Sequence, residues 1–73
     1  MALRMRKMRL DLNLSQAKLA RLADLNGVTV NQIENGRLAP YPSQLAKLAS
    51  VLGVPESKAE LLLADDRDET NNG

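Results

Sequence analysis

Residues 14–36 read LSQAKLARLADLNGVTVNQIENG, and this stretch decides the fold. Ser15 stands where a hydroxyl can accept from the free amides of a first helical turn, so a helix is expected over Gln16–Ala23. Leu19, Leu22 and Ala23, with Ala20 beside them, form its inward stripe. Asp24-Leu25-Asn26 is a short turn, and Asn26 is a good cap for a following helix over about Gly27–Asn35. The apolar positions of that second segment are Val30 and Ile33. Gly36 follows it as a residue able to take the left-handed conformation that ends a helix.

Two short helices joined by three residues, with a small residue midway along the first, have the spacing of a helix-turn-helix. Such helices cross at roughly 90–120° and touch near Ala20, where a larger side chain would push them apart. Leu19, Ala23, Leu25, Val30 and Ile33 then close a small common core. Upstream, Ala2–Asn13 is rich in good helix formers. Met5, Arg9 and Leu12 share a face there, and Asn13 suits the stop. Downstream, Arg37–Pro42 is expected as a loop because Pro40 and Pro42 break regular structure. Ser43 is expected to cap a fourth helix, Gln44–Leu52, with Leu45, Leu48 and Leu52 inward and Gly53 as terminator. Pro55 opens a fifth helix over about Glu56–Ala64. Residues 65–73, DDRDETNNG, have no apolar residue and read as a disordered acidic tail. The prediction is an all-α, five-helix domain over residues 1–64 plus that tail.

Composition narrows the chemistry. A chain of 73 residues supports one domain with a modest core. It has no cysteine and no histidine, which removes disulfides, the usual zinc ligands and the usual general base. No catalytic constellation is visible, so neither an enzyme nor a cofactor or metal is expected. No signal peptide is recognisable and no apolar run reaches the roughly 20 residues needed to span a bilayer, so a cytoplasmic protein without membrane contact is expected. The net charge of +1 conceals an asymmetry: residues 1–50 carry eight Lys or Arg against three acids, and residues 51–73 carry two against six. A basic working face and an acidic end follow. Tyr41 is the sole aromatic residue, which argues against readers that stack unpaired bases on rings.

With these motifs in register, the chain resembles the lambdoid phage repressor and Cro family. The residues that carry the resemblance are Leu14-Ser15-Gln16, Leu19-Ala20, Leu25, Val30, Ile33 and Glu34-Asn35-Gly36, followed by Leu45, Leu48-Ala49 and Leu52-Gly53-Val54. It covers about Leu3–Leu63 and implies binding to duplex DNA with the second motif helix in the major groove. Two positions depart from the family pattern. Asp24 stands where the family has a glycine with positive φ, at a cost of about 1 kcal/mol. Gly27 and Val28 open the recognition helix where relatives often carry long polar side chains.

The resemblance distributes roles along the chain. Gly27, Val28, Thr29, Asn31 and Gln32 fall on the presumed base-reading face. Gln32 can bond adenine bidentately, while Val28 and the Thr29 methyl can pack on a thymine methyl. Gln16, Asn35, Arg37, Ser43 and Gln44 fall at phosphate-gripping positions, and the resemblance implies that Gln16 also braces the recognition helix. Arg9 and Glu34 are expected to form an ion pair tying the first helix to the third. Leu61, Leu62 and Leu63 cannot all face one core from a single helix, so at least one is expected at a homodimer contact. A palindromic operator follows from such a dimer. The alternatives are an antitoxin whose acidic tail holds a toxin partner, and a protein-interaction module that kept the fold without DNA binding.

Overall fold

The structure, a computed structural model, describes residues 3–65. The Ala2 start of the first predicted helix and the acidic tail from residue 66 onward lie outside the described residues. Four α-helices appear in order: α1 (Arg4–Asp11), α2 (Gln16–Leu22), α3 (Gly27–Glu34) and α4 (Pro42–Leu52). A 3₁₀ helix, Glu56–Leu63, completes the fold. Among the described residues there is no strand, only an isolated antiparallel bridge between Leu3 and Asp65. Arg4 N–H donates to the Ala64 carbonyl at 2.8 Å beside it. Asp65, expected as the first tail residue, is therefore tied to the start of α1. No helix among the described residues is long and apolar enough to cross a membrane.

Local chemistry sets the boundaries. Ser15 Oγ accepts from Lys18 N–H at 3.0 Å and caps α2, and Asn26 Oδ1 accepts from Val28 N–H at 2.8 Å and caps α3. Asn13 (φ 60°) and Asp24 (φ 58°) take the left-handed conformation at the ends of α1 and α2, and Gly36 (φ 73°) takes it after α3. The Asp24 φ is the strained one expected from the family pattern. The start of α4 differs from expectation: it begins at Pro42, with Tyr41 in extended backbone as the cap residue. Proline has no N–H to lose and its fixed φ suits a first turn, so Ser43 lies inside the helix. Gln44 reaches back instead, its Oε1 accepting from the N–H of the cap residue Tyr41 at 2.9 Å.

The core comprises Leu3, Met5, Leu19, Ala20, Ala23, Val30, Ile33, Leu45, Leu48, Ala49, Leu52, Ala59 and Leu62. α2 packs on α3, the 3₁₀ helix lies between α4 and α1, and both α1 and α2 touch α4. Leu12 and Leu22, expected inward, are exposed. Leu12 falls just past the end of α1, where the turn through Asn13 rather than helical period sets its direction, and Leu14 packs on the core instead. On α2 the buried positions are Leu19, Ala20 and Ala23, and Leu22 points roughly 110° from the middle of that arc. The last segment is 3₁₀ rather than α, and Lys58 leaves helical geometry (φ −117°, ψ 17°) and divides it into two short turns. Residues three apart eclipse in a 3₁₀ helix, which brings Ala59 and Leu62 together into the core.

Candidate nucleic-acid interface

α3 has two unlike faces. Val30 and Ile33 are buried against α2 and the rest of the core, whereas Val28, Asn31 and Gln32 are exposed and Gly27 and Thr29 are half-buried. Val28 is 64% exposed, which leaves its methyl groups open to a partner. A Cβ added at Gly27 would meet no atom within 4 Å. Its φ is not positive, so the fold itself does not require glycine there. The Gln32 side chain makes no hydrogen bond among the described residues and is free for a ligand, while its backbone carbonyl accepts from Arg37 N–H at 2.9 Å.

Behind that face lies the pair expected between Arg9 and Glu34. Arg9 Nε donates to Glu34 Oε2 at 2.7 Å and Nη2 donates to Oε1 at 3.0 Å. The two side chains are 7% and 2% exposed, so the pair sits inside the core rather than at its edge. Arg9 Nη1 also donates to the Leu14 carbonyl at 2.8 Å. One guanidinium thus fixes α1, the turn after it and the C-terminal end of α3. A carboxylate this deep is tolerable only because charged and polar donors surround it.

A chain of amides runs outward from Glu34. Gln16 Nε2 donates to Glu34 Oε1 at 3.0 Å, Asn31 Nδ2 donates to Gln16 Oε1 at 3.1 Å, and Asn35 Nδ2 donates to Asn31 Oδ1 at 3.1 Å. The geometry therefore brings Gln16, Asn31 and Asn35 together at the α2–α3 edge, although sequence reading placed Asn31 among base readers. The resemblance implied that Gln16 braces the recognition helix, but nothing in the sequence marked Asn31 as the residue it meets. Arg37 and Ser43 are exposed near the ends of α3 and α4. Gln44 is half-buried with its carbonyl oxygen engaged at Tyr41, and its NH₂ group makes no hydrogen bond among the described residues.

Of the three leucines expected at a dimer contact, Leu62 is fully buried within its own chain, Leu63 is half-buried and packs on the core, and Leu61 is 53% exposed. Leu62 is thus a core residue. Other exposed surface charges pair weakly: Lys7 with Asp11 at 3.3 Å and Lys47 with Asp24 at 3.8 Å.

A family profile described as helix-turn-helix matches residues 5–58 of the chain. No curated protein matches in sequence. Among solved structures, the crystal structure of a hypothetical transcription factor, NHTF, from Neisseria superposes with a TM-score of 0.74 at 31% identity, over 93% of this chain and 73% of that one.

Proposed function

The chain belongs to the Cro/C1-type helix-turn-helix family, and from that premise we propose that it is a sequence-specific duplex DNA-binding regulator of transcription, of repressor or Cro-like type, acting as a homodimer on a palindromic operator. The observation that carries this reading is the division of α3: one face is locked into the core through Val30, Ile33 and Glu34, and the other presents Val28 and an unengaged Gln32. A rigid helix with one unpartnered polar and methyl-bearing face is what groove readout requires. The similar Neisseria structure, titled a transcription factor, agrees with it.

In this reading Gln32 bonds a base edge, and Val28 and Thr29 pack on thymine methyls. Gly27 lets the helix start come close to the duplex. Gln16, Asn35, Arg37, Ser43 and Gln44 hold phosphates, which position the helix without reading sequence. Leu61 contributes to the contact between copies, with Leu63 at its margin. No enzymatic step and no cofactor belong to this function. Selection of sites from a random duplex pool tests it. Wild type should enrich an imperfect palindrome with half-sites about one DNA turn apart, and Gln32→Ala should relax one position in each half-site. Enrichment of no sequence would overturn the reading.

A further inference from the structure

We infer that Asn31 is a positioning residue that holds Gln16 ready for phosphate, and that the buried Glu34 carboxylate sets the polarity of the whole amide chain from Gln16 through Asn31 to Asn35. The inference rests on the DNA-binding reading above and changes the role of one residue within it.

The argument begins at Glu34. An ionised carboxylate only accepts hydrogen bonds. Its Oε1 takes Arg9 Nη2 and Gln16 Nε2, both at 3.0 Å. A flip of the Gln16 amide would turn its carbonyl oxygen onto that carboxylate, so the flip is forbidden. Gln16 Oε1 must then face outward, where it accepts from Asn31 Nδ2. That in turn commits Asn31 Oδ1 to accept from Asn35 Nδ2. Each amide group has two N–H donors and uses one inside the chain. Gln16, Asn31 and Asn35 each retain a second N–H at the same edge of the motif.

An unconstrained amide offers a ligand either a donor or an acceptor. This chain leaves three donors and only one uncommitted carbonyl, that of Asn35. Phosphate oxygens take donors alone, so the edge is polarised for the DNA backbone. Asn31 is doubly committed, to Gln16 on one side and Asn35 on the other. A side chain held in that way does not turn to form the paired donor and acceptor contact of an adenine reader.

The test is a double-mutant cycle on the duplex that wild type selects from a random pool. Asn31→Ala and Gln16→Ala should each weaken binding by up to about fivefold, the size of one net hydrogen bond. The double variant should lose less than the product of the two single losses, because part of the Asn31 effect runs through Gln16. Asn31→Ala should leave base preference unchanged at every operator position and should not lower the thermal midpoint, since alanine is a better helix former at an exposed site. Multiplying effects in the cycle, or relaxed discrimination at one base pair in Asn31→Ala, would overturn the inference. The free protein supplies a second readout: in Asn31→Ala the Gln16 side-chain NH₂ resonances should move and exchange faster with water. Unmoved Gln16 resonances would equally overturn it. Failure of wild type to select any duplex would refute the DNA reading instead, and the resonances would still decide the amide chain.

Discussion

Replacing Arg9 by methionine removes the guanidinium and keeps most of the side-chain volume. Glu34 then loses two charge-assisted bonds and keeps only the one from Gln16, while the Leu14 carbonyl loses its donor. The carboxylate is 2% exposed and cannot turn to water without opening the core. Stranding one partner of a buried pair costs about 3–5 kcal/mol. A 73-residue domain at about 0.05–0.15 kcal/mol per residue has only about 4–11 kcal/mol in total. Arg9→Met should therefore lose from about a quarter to all of that stability. The double variant Arg9→Met/Glu34→Leu removes both charges at once, and apolar replacement of a buried pair is often neutral or better. Its residual loss should be about 1–2 kcal/mol, from the Leu14 carbonyl and Gln16 amide left without partners. Urea unfolding followed by far-ultraviolet circular dichroism reads this; the single tyrosine is exposed and a poor fluorescence reporter. With a slope of about 1 kcal/mol per molar urea, the single variant should lose about 3 M or more in midpoint and the double variant should regain most of it. Losses that add within about 0.5 kcal/mol would refute a coupled buried pair.

Asp24→Gly should stabilise the fold by up to about 1 kcal/mol, because Asp24 has a φ of 58° and its 3.8 Å pair with Lys47 is exposed and worth little; thermal unfolding measures it. Gly27→Ala should stabilise by about 0.4–1 kcal/mol, as a Cβ there meets nothing, yet should weaken binding to the selected duplex if the α3 start approaches DNA closely. Stronger or unchanged binding would remove Gly27 from the contact. Leu62→Ala should destabilise by about 2–5 kcal/mol. Leu61→Glu should leave the unfolding midpoint alone and reduce the mass seen by sedimentation on a palindromic duplex.

The sequence made the motif legible because its signals are local. Caps at Ser15 and Asn26, left-handed residues at Asn13, Asp24 and Gly36, and the apolar pairs of α2 and α3 each act within one or two turns. The Arg9–Glu34 pair was accessible only through family register, since 25 residues separate its members. What escaped depends on tertiary contacts or on choices between near-equal local options. Pro42 and Ser43 could both begin α4, and Gln44 reaching back to Tyr41 favours the proline start. The last helix has α-compatible residues, but its 3₁₀ period aligns Ala59 with Leu62 against the core. Leu22 satisfies a helical stripe on paper, yet the neighbours of α2 cover a narrower arc than the stripe, and Leu12 falls in the turn past the end of α1. The Gln16–Asn31 bond joins two exposed-looking amides, and nothing in their local sequence marks them as partners.

Duplex DNA binding is the claim on which the functional account stands, and its physical signature is salt. Affinity for the selected duplex should be measured across a range of monovalent salt by fluorescence anisotropy of labelled DNA. If about 4–6 phosphates are neutralised per complex, the plot of log affinity against log salt should fall with a slope of about −4 to −5. A slope near zero would contradict the account, because no helix-turn-helix can hold α3 in a groove without gripping the backbone on either side.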